Sequence, residues 1–286
     1  MKRKSFGVSA LAIALGMSAC LTGCGKNTEE KTEEKIDVPE AETPADKIAN
    51  SENVIEDSRD MLFYAVTGEA DEEGKYDCMI EQGGKTTQWT DELAQEMMYI
   101  QSGTKITTGS SMLANMSIGM SLIEMGIEGD SEVEFTETEG KGDAFNVTAD
   151  LSSGGITLGM RETEDIERMT IETDDTDVTF TPGSAGRISY QAGKVSVSVL
   201  RGEATIEYDD EEVKVEEGKT VVVDEAAETI GDPADIDFNS FTIEGLTQTI
   251  SLGSYTIQFN EDLLSKANST LLEKMGVSEE DLSSAQ

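Results

Sequence analysis

Ser102 and Lys105 stand at the spacing at which one helical turn would bring a serine nucleophile against a lysine base. Here the pair sits on a turn entering an alternating segment, and the Lys-Thr-Gly triplet that accompanies such a pair occurs nowhere in the chain. Gly84-Lys85-Thr86 and Gly218-Lys219-Thr220 look like the end of a phosphate-binding loop, but the earlier glycine such a loop needs is Met79 in one and Val213 in the other. Both triplets are read as β-turns. Gly140-Lys141-Gly142 opens a dinucleotide-like pattern and has Phe145 where the third glycine belongs, so it is read as a surface loop. The oxygen-rich runs Asp174-Asp175-Thr176-Asp177 and Asp209-Asp210-Glu211-Glu212 lack the ligand order of an EF-hand, leaving weak binding of divalent ions as the alternative to solvated turns. Carboxylate pairs for glycoside hydrolysis are too many for any one to be informative, and Trp89, the only Trp, makes a poor sugar platform. No catalytic residue, metal ligand or cofactor is assigned.

Composition narrows the choice further. The 286 residues include 21 Lys and Arg against 59 Asp and Glu, a formal charge of −38, and no His. Phosphate-backbone binding draws its affinity from Lys and Arg, so nucleic acid is excluded as a partner. Without His there is no Ser/His or Cys/His catalytic pair, no His-ligated zinc and none of the usual pH switches. Apolar residues make up 37% of the chain, enough for a core, while 27 Gly and 5% aromatics predict a thin, turn-rich one.

Lys2, Arg3 and Lys4 precede an apolar run from Phe6 to Leu15 that is too short to cross a bilayer core of about 30 Å and is flanked like a secretory leader. The segment Leu21-Thr22-Gly23-Cys24 resembles the lipobox of bacterial lipoproteins, with cleavage between Gly23 and Cys24 and a diacylglycerol on the Cys24 sulfur. Met17-Ser18-Ala19-Cys20 is a poorer match because Met replaces Leu at its first position. Two acyl chains anchor stably where one does so only marginally. The expected location is the outer face of the bacterial cell membrane. Processing there leaves Cys78 as the only thiol; with no partner for a disulfide and no His to activate it, it is expected to be a buried apolar residue.

These residues fall on four predicted segments: a leader 1–23, an acidic tether 24–58, a β domain 59–225, and a C-terminal 226–286. The tether is too polar to fold alone and would hold the domain about 30 Å from the bilayer. Period-two alternation is clearest at Val195, Val197 and Val199, then Ala204, Ile206 and Tyr208, then Val213 and Val215, then Val221 and Val223, with Gly202, Asp209-Asp210 and Gly218 at the breaks. Similar strands are predicted at 104–108, 112–118, 133–135, 145–149, 156–160, 169–172 and 178–181. A short helix or irregular loop is predicted over 91–98 with Thr90 as N-cap. The C-terminal part is expected to form a β-hairpin from 240–243 and 247–259, then an amphipathic helix from Glu261 to Met275 stopped by Gly276. That helix is expected to pack on its own domain, with partner binding as the alternative.

Three passages give this β region a likeness. YIQSGTKITTGSSMLANMSIG (99–119) carries Gly103, Ile106 and Thr108 in a Gly-Asp-x-Ile-x-Thr pattern with Thr104 in place of Asp. MTIETDDTDVTFTPGSAGRISY (169–190) carries Thr181-Pro182, with Gly183-Ser184 where Gly-Thr is usual. VSVLRGEATIEYDDEEVKVEEGKTVVVDE (197–225) carries Val-x-Val, a glycine, an alternating strand and a final Val-rich strand. In that order the region from Met61 to Asp224 resembles a FecR domain. The resemblance implies an all-β fold, a FecR-like β-sandwich or short β-solenoid, and an extracytoplasmic, non-catalytic role. Founding members signal through a membrane helix and a cytoplasmic segment, neither of which is read in this sequence. The expectation is therefore a lipid-anchored scaffold or sensor component that binds an envelope protein or polymer. The alternative is a lipoprotein capturing an ion or small molecule, with an enzyme third.

Overall fold

Alternation with one face buried dictates strands, and strands make up most of the body. The structure is a computed structural model that describes residues 61–277 except 96–97, 120 and 140–143. The expected leader, Cys24, the tether and the Gly140-Lys141-Gly142 loop lie outside the described residues. The chain runs through β1 (Met61–Thr67), β2 (Lys75–Gln82), β3 (Lys85–Thr90), β4 (Met98–Ile100), β5 (Thr104–Thr108) and β6 (Leu113–Ile118). It continues through β7 (Ile123–Ile127), β8 (Glu132–Glu139), β9 (Phe145–Met160), β10 (Ile166–Glu172), β11 (Thr176–Phe180) and β12 (Ala185–Gln191). The last strands are β13 (Lys194–Arg201), β14 (Glu203–Tyr208), β15 (Glu211–Glu216), β16 (Lys219–Asp224) and the two-residue β17 (Thr229–Ile230) and β18 (Ala234–Asp235).

The ladders form two wings. The first has the order β3-β2-β5-β8-β9-β10-β11-β14-β15. The second has the order β4-β1-β6-β7-β9-β12-β13-β16, with β17 and β18 along the far side of β16. Strand β9 belongs to both. Its first part pairs with β8 and, in parallel, with β10; from Gly154 it pairs with β7 and β12. Gly154 has φ +93°, and a Cβ there would lie 2.4 Å from the Ser131 Cα, so the corner accepts no side chain. The two strands predicted at 145–149 and 156–160 are thus one strand changing sheets.

The inward side chains of both wings form one core. Phe63 of β1 meets Trp89 of β3 edge-on across the sandwich, with ring centroids 4.6 Å apart. Val195, Val197, Val199, Ile206, Val215, Val221 and Val223 are fully buried, as their alternation requires. Each such side chain contributes about 1.5–3 kcal/mol by leaving water. The all-β prediction holds for this body.

Two local predictions are corrected. Over 91–98 there is one 3₁₀ turn, Leu93–Gln95, and Met98 already belongs to β4; Thr90 does cap the turn, accepting from the Leu93 N–H at 3.3 Å. The hairpin expected over 240–259 is helical. After a 3₁₀ turn at Phe238–Ser240 come α1 (Ile243–Ser251), a π-turn at Leu252–Thr256 and α2 (Glu261–Lys274). Thr242 caps α1 by accepting from the Gly245 N–H at 2.9 Å, and Gly245, Leu246, Gln248, Thr249 and Leu252 are buried on one side at helical spacing. The β-branched residues of this stretch suggested a strand, and packing on the second wing overrides them. Helix α2 begins at Asn260, whose side chain accepts from the Asp262 N–H. It ends at Gly276 (φ +68°), where the Gly276 and Val277 N–H groups bond back to Glu273 and Leu272.

Candidate functional site

The two wings present different outer faces. On the first wing, register aligns Glu81, Lys105, Glu134, Asp150, Glu172, Asp177, Glu207 and Glu212 side by side on eight consecutive strands. All eight alternate with buried core residues and face outward. At about 4.8 Å per strand the row is about 34 Å long. Six carboxylates in succession, from Glu134 to Glu212, stand opposite one another, an arrangement that costs sheet stability. Lys105 pairs with Glu132, and that hydrogen bond, reinforced by Glu134 and Glu81, holds its ammonium above the usual lysine range.

At its β15 end the row opens into an acidic cleft of about 580 Å³ where both oxygen-rich turns meet. Asp209 and Asp210 form a two-residue hairpin turn, with φ +48° and +64°, between β14 and β15. The facing turn is tied to the second wing. The Glu225 carboxylate accepts from Thr173 at 3.0 Å, Thr176 at 2.9 Å and the Asp175 N–H at 3.3 Å, while Tyr190 donates to Asp174 at 2.7 Å. Burial, then the hydrogen bonds to Asp174 and Glu225, push the Tyr190 phenol well above its ordinary range. Among the described residues no group of three or more Asp, Glu, Cys or His side chains is arranged to hold a metal ion.

On the second wing's outer face α1 packs over β7, β9 and β12. Beneath it Arg187 of β12 grips Glu128, just after β7, through Nε at 2.6 Å and Nη2 at 2.8 Å; the two are 5% and 1% exposed. Thr157 donates to the same carboxylate at 3.1 Å and Thr242 at 2.6 Å, and the Arg187 guanidinium lies 4.7 Å from the Phe241 ring centre. Glycines make room for the helix. A Cβ on Gly126 would sit 2.6 Å from Gln248, one on Gly159 2.6 Å from Ile257, and one on Gly245 2.5 Å from the Glu128 carboxylate. Helix α1 thus packs on the second wing, whereas α2, the amphipathic helix expected to pack on the sheet, packs mainly on α1. No motif signals this network, because Thr242 lies 114 residues from Glu128 in the chain.

The side chains whose spacing suggests chemistry are dispersed. Ser102 donates to the Thr136 carbonyl at 2.8 Å and Lys105 is held by Glu132, so they do not form a nucleophile–base pair. Gly83-Gly84 is the tight turn between β2 and β3, with φ +59° and +75°, and Gly218 (φ +79°) is the corner from β15 to β16. Cys78 is fully buried, and burial pushes its thiol up to about 12. Among the described residues no helix is long and apolar enough to cross a membrane.

No family model matches the chain, and no curated protein matches it. Among solved structures it is similar to two of candidate anti-sigma factors from Parabacteroides distasonis. One, at 2.50 Å resolution, has 13% identity and a TM-score of 0.39 over 46% of this chain and 60% of that one. The other, at 1.65 Å, has 14% identity and a TM-score of 0.40 over 52% of this chain and 64% of that one. The match spans less than two thirds of either neighbour, and at this level of likeness no activity or partner transfers.

Proposed function

We propose that this protein is a non-catalytic, lipid-anchored extracytoplasmic binding module of FecR-like type, held to the membrane through Cys24. It presents the first wing's outer face to a cationic surface of an envelope protein or polymer, as a scaffold or sensor component. The observation that carries this reading is the laddered carboxylate row. Opposed like charges weaken a sheet, and six in a line on a face that no described residue covers, while helices pack over β7, β9 and β12 on the other, fit a surface built for an oppositely charged partner rather than for stability.

The test is crosslinking in intact cells with wild type, Cys24→Ala and Glu207→Lys, together with mass analysis of the N-terminal peptide. A diacylglyceryl mass on Cys24, absent from Cys24→Ala with release of protein to the medium, supports the anchor. Crosslinked species lost in Glu207→Lys support the face. An unmodified mature N-terminus elsewhere rejects the anchor, and an unchanged crosslinking pattern in Glu207→Lys rejects the face. Turnover of a substrate by the purified chain, abolished by one substitution that leaves it folded, would replace the binding reading with an enzyme.

A further inference from the structure

We infer that residues 236–277 form a releasable cap, a unit that closes over the second wing and opens from it without unfolding the sandwich. The inference is independent of the proposed partner face. Phe238, Phe241, Leu246, Leu252, Ile257 and Phe259 form their own small core, which includes only Ala185 and Leu200 from the strands. The sandwich core is complete without them; its last buried member is Val223. Two separate cores joined through a few contacts are the structural basis of separate cooperative units.

The seat under the cap has unusual chemistry for a permanent interface. Beside Ala185 and Leu200 it has Gly126 and Gly159 in place of side chains, and at its centre the Glu128–Arg187 ion pair with Thr157. Burying a charged pair incurs a desolvation cost that its mutual attraction offsets only with good geometry and further hydrogen bonds. When the cap leaves, both ions regain water, so opening costs less than uncovering an apolar seat of equal area. The segment preceding the cap has the form of a hinge. After the Glu225 anchor, the chain from Ala226 to Phe238 is largely exposed and is held to β16 by the two-residue ladders of β17 and β18, the Ile236 N–H to the Gly218 carbonyl and the Lys219–Asp235 pair.

Thr242 is the lock. Its hydroxyl accepts from the Gly245 N–H, starting α1, and donates to Glu128, so one atom joins helix initiation to docking. Gly245 is the fit. It lies against the ion pair, where an added Cβ would be 2.5 Å from the Glu128 oxygen and 2.9 Å from Arg187 Nε. Released, the cap would uncover a charged, glycine-floored groove across β7, β9 and β12.

Hydrogen exchange on the full chain, read by mass spectrometry, tests this. In the wild type, peptides from 243–274 are expected to exchange together and at least about 100-fold faster than peptides from β13 and β16, the hierarchy of a sub-global opening. Thr242→Val is expected to speed cap exchange by about 10- to 100-fold, the effect of losing a hydrogen bond to a charged group, and to leave β13 and β16 unchanged. Gly245→Ala separates release from helix stability. Alanine favours the helix itself, so faster cap exchange with unchanged exchange in the sandwich would report a seat that no longer fits. A common rate for cap and core in the wild type would overturn the inference, a measurement that needs no variant to fold. Slower cap exchange in Gly245→Ala, or equal acceleration of cap and core in Thr242→Val, would also overturn it.

Discussion

Glu207→Lys is the sharpest test of the charge row, because it predicts stabilisation from a surface substitution that touches no core residue. Glu207 stands between Asp177 and Glu212 on the neighbouring strands. Reversing its charge removes two repulsions and creates two attractions. At about 0.3 kcal/mol for each exposed cross-strand contact this amounts to about 1 kcal/mol. For a body of this size that raises Tm by about 3 °C. Thermal unfolding followed by circular dichroism at 20 mM NaCl should show this rise, and Glu207→Gln should show about half of it. In 0.5 M NaCl, where the Debye length falls to about 4 Å, the shift should shrink to under about 1 °C. An unchanged or lowered Tm at low salt, or a rise of the same size at both salt concentrations, would refute the claim that the row is electrostatically frustrated.

Two further outcomes follow from single residues. The Cys78 thiol is raised by burial from about 9 to about 12. A raised group stabilises fully below its unfolded value, and that stability is lost as pH climbs through the folded one. The wild type should therefore lose about 1.4 kcal/mol more per pH unit between 9 and 12 than Cys78→Val. Parallel slopes in urea titrations at pH 9 and 11 would show that the thiol does not experience this burial. Gly154→Ala should cost about 3 kcal/mol or more, since the new methyl meets the Ser131 backbone at a φ of +93°. Gly83→Asn, at a φ of +59° with nothing within 4 Å, should change stability by less than about 0.5 kcal/mol. Urea midpoints measure both, and equal losses would remove the case for a steric corner at β9.

How far the fold could be read from sequence depended on how many faces of each strand are buried. In β14 and the first half of β13 one face is inward, so Val, Ala and Ile alternate there with polar or half-exposed residues and the segments were legible. In β12 the pattern fails, because Ala185 and Arg187 are buried beneath the cap while Gly186 and Ile188 are buried toward the sandwich core. An Arg in that setting reads as a solvent break. The stretch 243–251 is rich in Thr and Ile, and its helical form is decided by a seat assembled from β7, β9 and β12 rather than by its own preferences. The two acidic turns were visible separately. Their meeting was not, nor was the row, since its eight members span 132 positions and are aligned only by seven successive registers.

Both departures from ordinary sheet chemistry lie on outer faces, and each has a structural counterpart inside. Buried Val, Ile, Leu, Met and Phe fill the space between the wings with little polar interruption, so the sandwich does not need its outer surfaces for stability. That freedom is used differently on the two sides. On the second wing a charged pair is accommodated because a dedicated helix with a glycine at the contact completes its hydrogen bonds. On the first wing like charges stand opposite one another along the row, with Lys105 as its one cation. If the cap opens as inferred, its seat trades buried charge for hydrated charge at small net cost, whereas the acidic row changes only when a cation or a cationic surface arrives. The two faces should then respond independently. Thr242→Val should leave the salt-dependent Tm shift of Glu207→Lys intact, and Glu207→Lys should leave cap exchange intact, because Glu207 and Thr242 lie on opposite outer faces and share no hydrogen-bond network.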